Sequence, residues 1–262
     1  MNKLQFTVFT KPWKLDIPAL GKHIAALGFD GVELPVRPGY SVNPDNQTTA
    51  LPQAAQILGD FGLKIASVAG NIDEPAVAAC AQAGVPLIRI CVSIGSDETY
   101  NEGVVRLRHS FDDALPHLDR HGVTLGIQNH CGRGICHATG LRDLLEPYDP
   151  RNVAIVWDAA HNALQGEEPE LALDIVWDKL RMVNLKNAYW QRSNGPEAEH
   201  AVWHPYWTSG LHGLASWPRV AASLKQRNYD GPICLTAEYT DEPSVDRLIA
   251  QDIAFARKLF AQ

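Results

Sequence analysis

The sequence predicts an α/β protein, a single (β/α)8 barrel, and three observations carry that expectation. Short apolar runs with strand character alternate with longer segments of helical spacing from end to end, which is how a parallel sheet with helical crossovers is written. Eight such runs are present, and 262 residues is an ordinary length for one barrel of about 250. Polar side chains close several successive runs, namely Gln128-Asn129-His130, Asp158 with His161, Asn184 with Lys186, and Glu238. On neighbouring parallel strands they would converge on one mouth, where a barrel places its active site. The whole chain, 1–262, is therefore expected to be one domain.

The strands are expected at Leu4–Phe9, Gly31–Leu34, Lys64–Ala69, Leu87–Val92, Thr124–Gln128, Val153–Trp157, Met182–Lys186 and Ile233–Glu238. Between them, Ile17, Leu20, Ile24 and Leu27 share one helical face, as do Leu107, Phe111, Leu115 and Leu118. Glycine stands where a helix should end and the next strand begin, as in Leu27-Gly28-Phe29 and His121-Gly122-Val123. These short connections would form the bottom of the barrel. The segments after the strands are longer and irregular: Pro35 to Thr49, Asn129 to Thr139 and Ala188 to Gly210. Long loops on that side build the site.

Composition narrows the function. Hydrophobic residues at 45% and charged residues at 20% allow a large core. With 23 Lys and Arg against 30 Asp and Glu, net charge −7, the chain lacks the basic excess that binding a nucleic-acid backbone requires. A small neutral or polar substrate fits better. Five cysteines, an odd number, read as reduced thiols of a cytoplasmic protein. The start, Met1 to Phe6, runs straight into a strand pattern, and no apolar run approaches a membrane span. No Gly-rich nucleotide loop is present.

Four local matches carry a family resemblance: Gly28-Phe-Asp-Gly-Val-Glu33-Leu, Gly122-Val-Thr-Leu-Gly-Ile-Gln128-Asn-His130, Val156-Trp-Asp158-Ala-Ala-His161 and Thr236-Ala-Glu238-Tyr. In that order and spacing the chain resembles the xylose isomerase-like TIM-barrel superfamily. That is the sugar phosphate isomerase/epimerase group, which also includes endonuclease IV and inosose dehydratase. The resemblance covers nearly the whole chain. It implies a divalent metal, Mn²⁺ or Mg²⁺, held by a Glu from strand 5, an Asp from strand 6, a His from strand 7 and a Glu from strand 8. Those positions are Gln128, Asp158, Asn184 and Glu238 here, so two of the four keep the ligand type. Asp158 and Glu238 supply charge and Gln128 a carbonyl oxygen, enough for a hard cation with waters, although with weakened affinity. The alternative roles are a helix cap for Asp158 and an ion pair with Lys186 for Glu238.

Enzymes of this group remove a proton next to a carbonyl and stabilise the resulting enediolate. Gln128 cannot accept a proton, which disfavours a symmetric two-base epimerisation. One base suffices for aldose–ketose isomerisation or for β-elimination from a keto-sugar. Glu238 is the leading base, with His161 or His130 as proton shuttle and Lys186 as an electrophile or as a structural partner of Asp158 or Glu238. Glu33, Arg37, Arg89, Asn129 and Trp190 are the candidate substrate contacts, Arg37 and Arg89 for a carboxylate or phosphate group.

Tyr189, Trp190, Trp203, Tyr206 and Trp207 crowd the loop after strand 7, as a sugar-stacking lid, an interface for a homodimer, or a satellite core. His130-Cys131 and Cys136-His137 invite a zinc reading, but the cysteine spacing lacks the usual knuckle form. The sequence thus points to an isomerase or epimerase acting on a small keto-sugar or keto-polyol. The rivals are a lyase acting on a keto-glycoside or inosose, a non-catalytic sugar-binding barrel with a degraded metal site, and, least supported, a phosphodiesterase.

Overall fold

A computed structural model describes residues 4–261; the first three residues, with which the chain was expected to lead into its first strand, lie outside them. Eight parallel strands close into a barrel. In barrel order from the first strand they are β1 (Phe6–Phe9), β2 (Gly31–Pro35), β3 (Lys64–Ala69), β4 (Leu87–Cys91), β5 (Thr124–Gln128), β6 (Val153–Asp158), β7 (Leu180–Leu185) and β10 (Ile233–Leu235), which returns to β1. The remaining two strands, β8 (Asn187–Arg192) and β9 (Trp203–Thr208), pair antiparallel outside the barrel.

Helices follow each barrel strand: α1 (Ile17–Ala26), α2 (Gln47–Asp60), α3 (Glu74–Gln82), α4 (Tyr100–His121), α5 (Ala138–Leu145), α6 (Ala159–Leu164) with α7 (Pro169–Val176), α8 (Trp217–Gln226) and α9 (Val245–Ala261). Their starts and stops follow from local chemistry. Thr99 and Glu102 form a reciprocal capping box on α4, each satisfying an amide of the first turn that has no helical partner. At the other end Gly122 takes a left-handed conformation, φ 63°, which lets the chain turn directly into β5. Ile17, Leu20 and Ile24 on α1 and Leu107, Phe111 and Leu118 on α4 are buried, so the expected apolar faces meet the sheet.

Two apolar layers result. The larger one lies between helices and strands, with Ile24, Leu58, Phe111, Leu118, Trp157 and Trp217 deep within it. The smaller fills the barrel itself, from Phe9, Ala69, Leu87, Val156, Met182 and Cys234, side chains that alternate with the outward-facing ones along each strand. All five cysteines are free thiols. Among the described residues no helix is long and apolar enough to cross a membrane.

Three expectations need correction. The last barrel strand stops at Leu235 and does not reach Glu238, because Ala237 adopts φ 51°, a left-handed conformation that no strand accommodates. The seventh strand runs Leu180–Leu185, so Lys186 sits just past its end. The segment from Ala188 to Gly210, expected to be irregular, is mostly the β8–β9 hairpin, in register from Asn187 opposite Thr208 to Arg192 opposite Trp203. Tyr189 and Tyr206 stack across it with ring centroids 5.1 Å apart, and such cross-strand aromatic pairs stabilise an exposed ribbon. Asn187 anchors its base, donating to the carbonyls of Gly210 and Ala215 and accepting from the Ala215 amide.

Candidate functional site

Strand register brings the polar strand ends together. Gln128 lies opposite Val156 and Asp158 opposite Asn184, so three side chains expected at the mouth occupy adjacent strands. Asp158 is fully buried and is the N-cap of α6, Oδ1 accepting from the amides of Ala160 and His161. Its Oδ2 accepts from Gln128 Nε2 at 2.9 Å and from Asn184 Nδ2 at 3.5 Å. Because an ionised carboxylate only accepts, both amides must turn their NH₂ groups toward it. Gln128 Oε1 in turn accepts from the Cys91 thiol, at 3.5 Å. Asn184 Oδ1 is buried without a partner. Burial pushes the Asp158 carboxyl above its ordinary value, while the Lys186 charge and the His161 amide hold it back.

Asn129 is turned away from the mouth. Its Oδ1 accepts from the Asp158 amide at 2.6 Å and its Nδ2 donates to the Asp158 carbonyl at 3.1 Å. Both polar ends clasp the end of β6, so this side chain positions Asp158.

The loop after β5 holds His130 in a defined pose. The His130 amide donates to the Ile135 carbonyl, and a Cβ on Gly134 would stand 2.4 Å from the His130 carbonyl, so only glycine permits this tight return. His130 Nδ1 lies 3.0 Å from the Cys131 carbonyl. A carbonyl only accepts, which puts the proton on Nδ1 and leaves the lone pair of the neutral ring on Nε2. His161 shows the reverse pattern. Its Nδ1 accepts from the Cys131 amide at 3.1 Å, so Nε2 carries the proton, and that N–H is buried with no partner. The two rings lie 4.1 Å apart, and Trp207 packs edge-on against His161. Burial first, and then the Lys186 charge, push His161 well below its ordinary pKa. It stays neutral near pH 7.

Past β7, Lys186 is nearly buried and donates to Glu238 Oε2 at 2.7 Å, with its ammonium 3.7 Å from the centre of the Trp207 ring, a cation–π contact. Lys11, one turn past β1, pairs with the other carboxylate oxygen of Glu238. Burial opposes ionisation of Glu238, but the two lysines outweigh it and hold its carboxyl at about 2. Lys11, Lys14, Tyr40, His130, Lys186, Trp207 and Glu238 line a cavity of about 810 Å³ at the barrel mouth, large enough for a sugar. Lys11 was not anticipated from sequence, yet the signal was there: it follows the first strand as Lys186 follows the seventh.

Glu33 and Arg89 meet inside the barrel rather than in the cavity. Arg89 grips Glu33 through two parallel hydrogen bonds of 2.9 and 2.6 Å, both side chains being buried, and Ser67 also donates to Glu33. The pair neutralises itself, which corrects the expectation that Arg89 is free for an anionic substrate. Arg37 is exposed beside the Phe9 ring. Trp190 donates to the Leu164 carbonyl and is not among the residues lining the cavity; Trp207 is the aromatic wall instead. Ala188 and Trp207 pack with Ala160, Leu164 and Cys131 in a small apolar cluster, so a satellite core is one real role of this segment.

Among the expected metal positions the one uncommitted oxygen is Asn184 Oδ1, buried without a partner, and a single amide carbonyl falls short of the several oxygens that a hard divalent cation takes. Two of the positions present N–H groups to Asp158, both oxygens of Asp158 are already engaged, and Glu238 is paired with two ammonium groups. A second set, His130, Cys131 and His161, has candidate ligand atoms within 4.8 Å of one another, but its hydrogen bonds oppose a metal too. His161 Nδ1 is engaged and its Nε2 is protonated, while burial pushes the Cys131 thiol up. Cys136 and His137 do not join it; His137 lies beside Glu167.

The chain matches the family model described as xylose isomerase-like TIM barrel over residues 22–259. It belongs to the xylose isomerase-like TIM-barrel family. Within the family, the inosose dehydratase of Lacticaseibacillus casei is 22% identical over 122 residues, 45% of this chain and 41% of that protein. The matched region thus spans about two-fifths of the length of that relative. Among solved structures, the 3-keto-D-glucoside 4-epimerase of E. coli superposes with a TM-score of 0.75 at 14% identity, covering 98% of this chain and all 100% of the other. The D-psicose 3-epimerase of Clostridium cellulolyticum H10 gives 0.72 at 15% identity, covering 98% and 99%. At those identities the likeness is one of fold.

Proposed function

We propose that this xylose isomerase-like barrel is a carbohydrate enzyme that removes a proton next to the carbonyl of a small keto-sugar or keto-polyol, with His130 as the single base. The observation that carries the reading is the Nδ1–H hydrogen bond of His130 to the Cys131 carbonyl, on a ring that lines the mouth cavity. It leaves the Nε2 lone pair of the neutral ring free of that bond and available to take a proton. Glu238, the base expected from the strand ends, is a poorer choice: both its oxygens hold lysines and its carboxyl sits at about 2. Its part in this reading is to fix Lys186.

A single base shuttles a proton between two adjacent carbons in isomerisation. β-Elimination is the second reading. In that case the imidazolium formed at His130 returns its proton to the departing hydroxyl on the same face. The neutral side chain of Gln128 supports both over a two-base epimerisation, and the similarity to inosose dehydratases supports elimination. The hairpin, whose Trp190, Val202 and Trp203 are exposed, goes with the proposal of a homodimer.

The test is proton NMR in D₂O with a panel of ketoses, inososes and 3-keto-glucosides. Enzyme-dependent loss of an α-proton signal supports the reading, and the product separates isomerase from lyase. No exchange with any compound of the panel, alongside measurable binding of one of them, would make the barrel a binding protein.

A further inference from the structure

We propose that the ammonium of Lys186 is the cation of this site, standing where the family pattern implies a divalent metal, and that Gln128 and Asn184 have become the hydrogen-bond donors that Asp158 needs when no metal ion is there to satisfy it. The argument begins with Asp158. A buried carboxylate must have partners, and this one receives two backbone amides on Oδ1 and two side-chain amides on Oδ2. In the family pattern the positions of Gln128 and Asn184 carry a carboxylate and an imidazole, groups that offer a lone pair to a cation. Here both offer N–H to an anion. The change is coordinated, because each of the two substitutions supplies a donor to the same oxygen.

Lys186 supplies the charge. Its Nζ bonds to Glu238 on one side and faces the Trp207 ring on another. An ammonium has three N–H donors, so one remains to point into the cavity that Lys186 lines. When His130 Nε2 takes the α-proton, the C–H electron pair becomes the C=C bond of an enolate and the carbonyl π pair moves onto oxygen. The free N–H of Lys186 donates to that oxygen, and no other reactant is needed. A fixed ammonium in a site walled by Trp207 stabilises developing negative charge without reorganising. A metal ion would have to displace Lys186 from Glu238 to bind, and like charge at such separations is strongly opposed.

The inference rests on the α-proton reading only for the atom that Lys186 faces; its metal side is tested without substrate. The chelator-dialysed protein is titrated with Mn²⁺ and bound metal is read by electron paramagnetic resonance and by elemental analysis. The expected result is no stoichiometric binding by the unaltered chain. Gln128→Glu with Asn184→His should bind Mn²⁺ weakly, and addition of Lys186→Met should tighten that binding by about tenfold or more, as removal of one nearby positive charge implies. One Mn²⁺ per chain in the unaltered protein overturns the proposal, and this measurement stands even where the variants do not fold. Equal Mn²⁺ affinity with and without Lys186 in the variant background overturns it as well. If the titrations behave as expected but no compound exchanges its α-proton, it is the functional reading that fails and not the replacement of the metal.

Discussion

His130 and His161 lie with their rings 4.1 Å apart, and Cys131 between them in sequence fixes opposite tautomers, its carbonyl accepting from one ring and its amide donating to the other. One residue's backbone thereby sets one imidazole as acceptor and the other as donor. His130→Gln should lower α-proton exchange by between about 10²- and 10⁴-fold, the range of a lost general base, with little change in ligand affinity. Equal loss of binding and exchange, measured by calorimetry and NMR, would count against a base at this position.

The donor state of His161 has its own signature. With its pKa well below the ordinary 6.5, nitrogen-15 NMR should show a neutral ring protonated at Nε2 throughout the neutral range. A histidine neutral in the fold but protonated when unfolded gives stability that is complete above the unfolded pKa and is lost as pH falls below it. His161→Phe should therefore flatten part of the stability loss below pH 6.5. A ring titrating near its ordinary value in the spectra would remove the premise.

Glu238 stands between Lys11 and Lys186. Its carboxyl, lowered from an ordinary 4.5 to about 2, contributes stability that is fully present above 4.5 and is lost progressively as pH falls from there through about 2. Lys11→Met removes one of the two cations, so the acid limb of stability should move to higher pH. Urea melts across the acid range check this, and an unmoved limb would mean that Lys186 alone holds the carboxylate.

Asp252 behaves in the opposite sense. Burial pushes its carboxyl up from 3.8 to about 6, although the Gly210 amide and the Tyr239 hydroxyl both donate to it. An acid whose pKa is raised by folding favours the fold below its unfolded value and loses that contribution as pH rises through the folded one. Stability should accordingly decline as pH rises from 3.8 to about 6, and Asp252→Asn should abolish that slope in the same urea melts.

Inside the barrel, Arg89→Met would strand the fully buried charge of Glu33. Breaking a buried pair from one side costs about 3–5 kcal/mol, whereas replacing both partners by apolar groups is often nearly neutral. Arg89→Met with Glu33→Leu should therefore be markedly more stable than Arg89→Met alone. Similar melting points for the two would show that the Glu33 charge is relieved by another group.

The eight strands, their order and the polar positions that close them were legible without coordinates, because apolar runs, helical spacing and glycine turns such as Gly28 and Gly122 are local signals that barrel closure leaves intact. The loss of two metal-ligand types at Gln128 and Asn184 was equally a property of the sequence. Tertiary structure decided what replaced them. Amide orientation at Gln128 and Asn184, the tautomers of His130 and His161, the pairing of Arg89 with Glu33, and the arrival of Lys11 beside Glu238 are contacts between residues 26 or more positions apart in most cases. A hydrogen bond is set by which partner arrives and with which polarity, and sequence spacing carries no information on either. The β8–β9 hairpin escaped for a related reason: its stabilising pair, Tyr189 with Tyr206, exists only once the ribbon has folded back on itself.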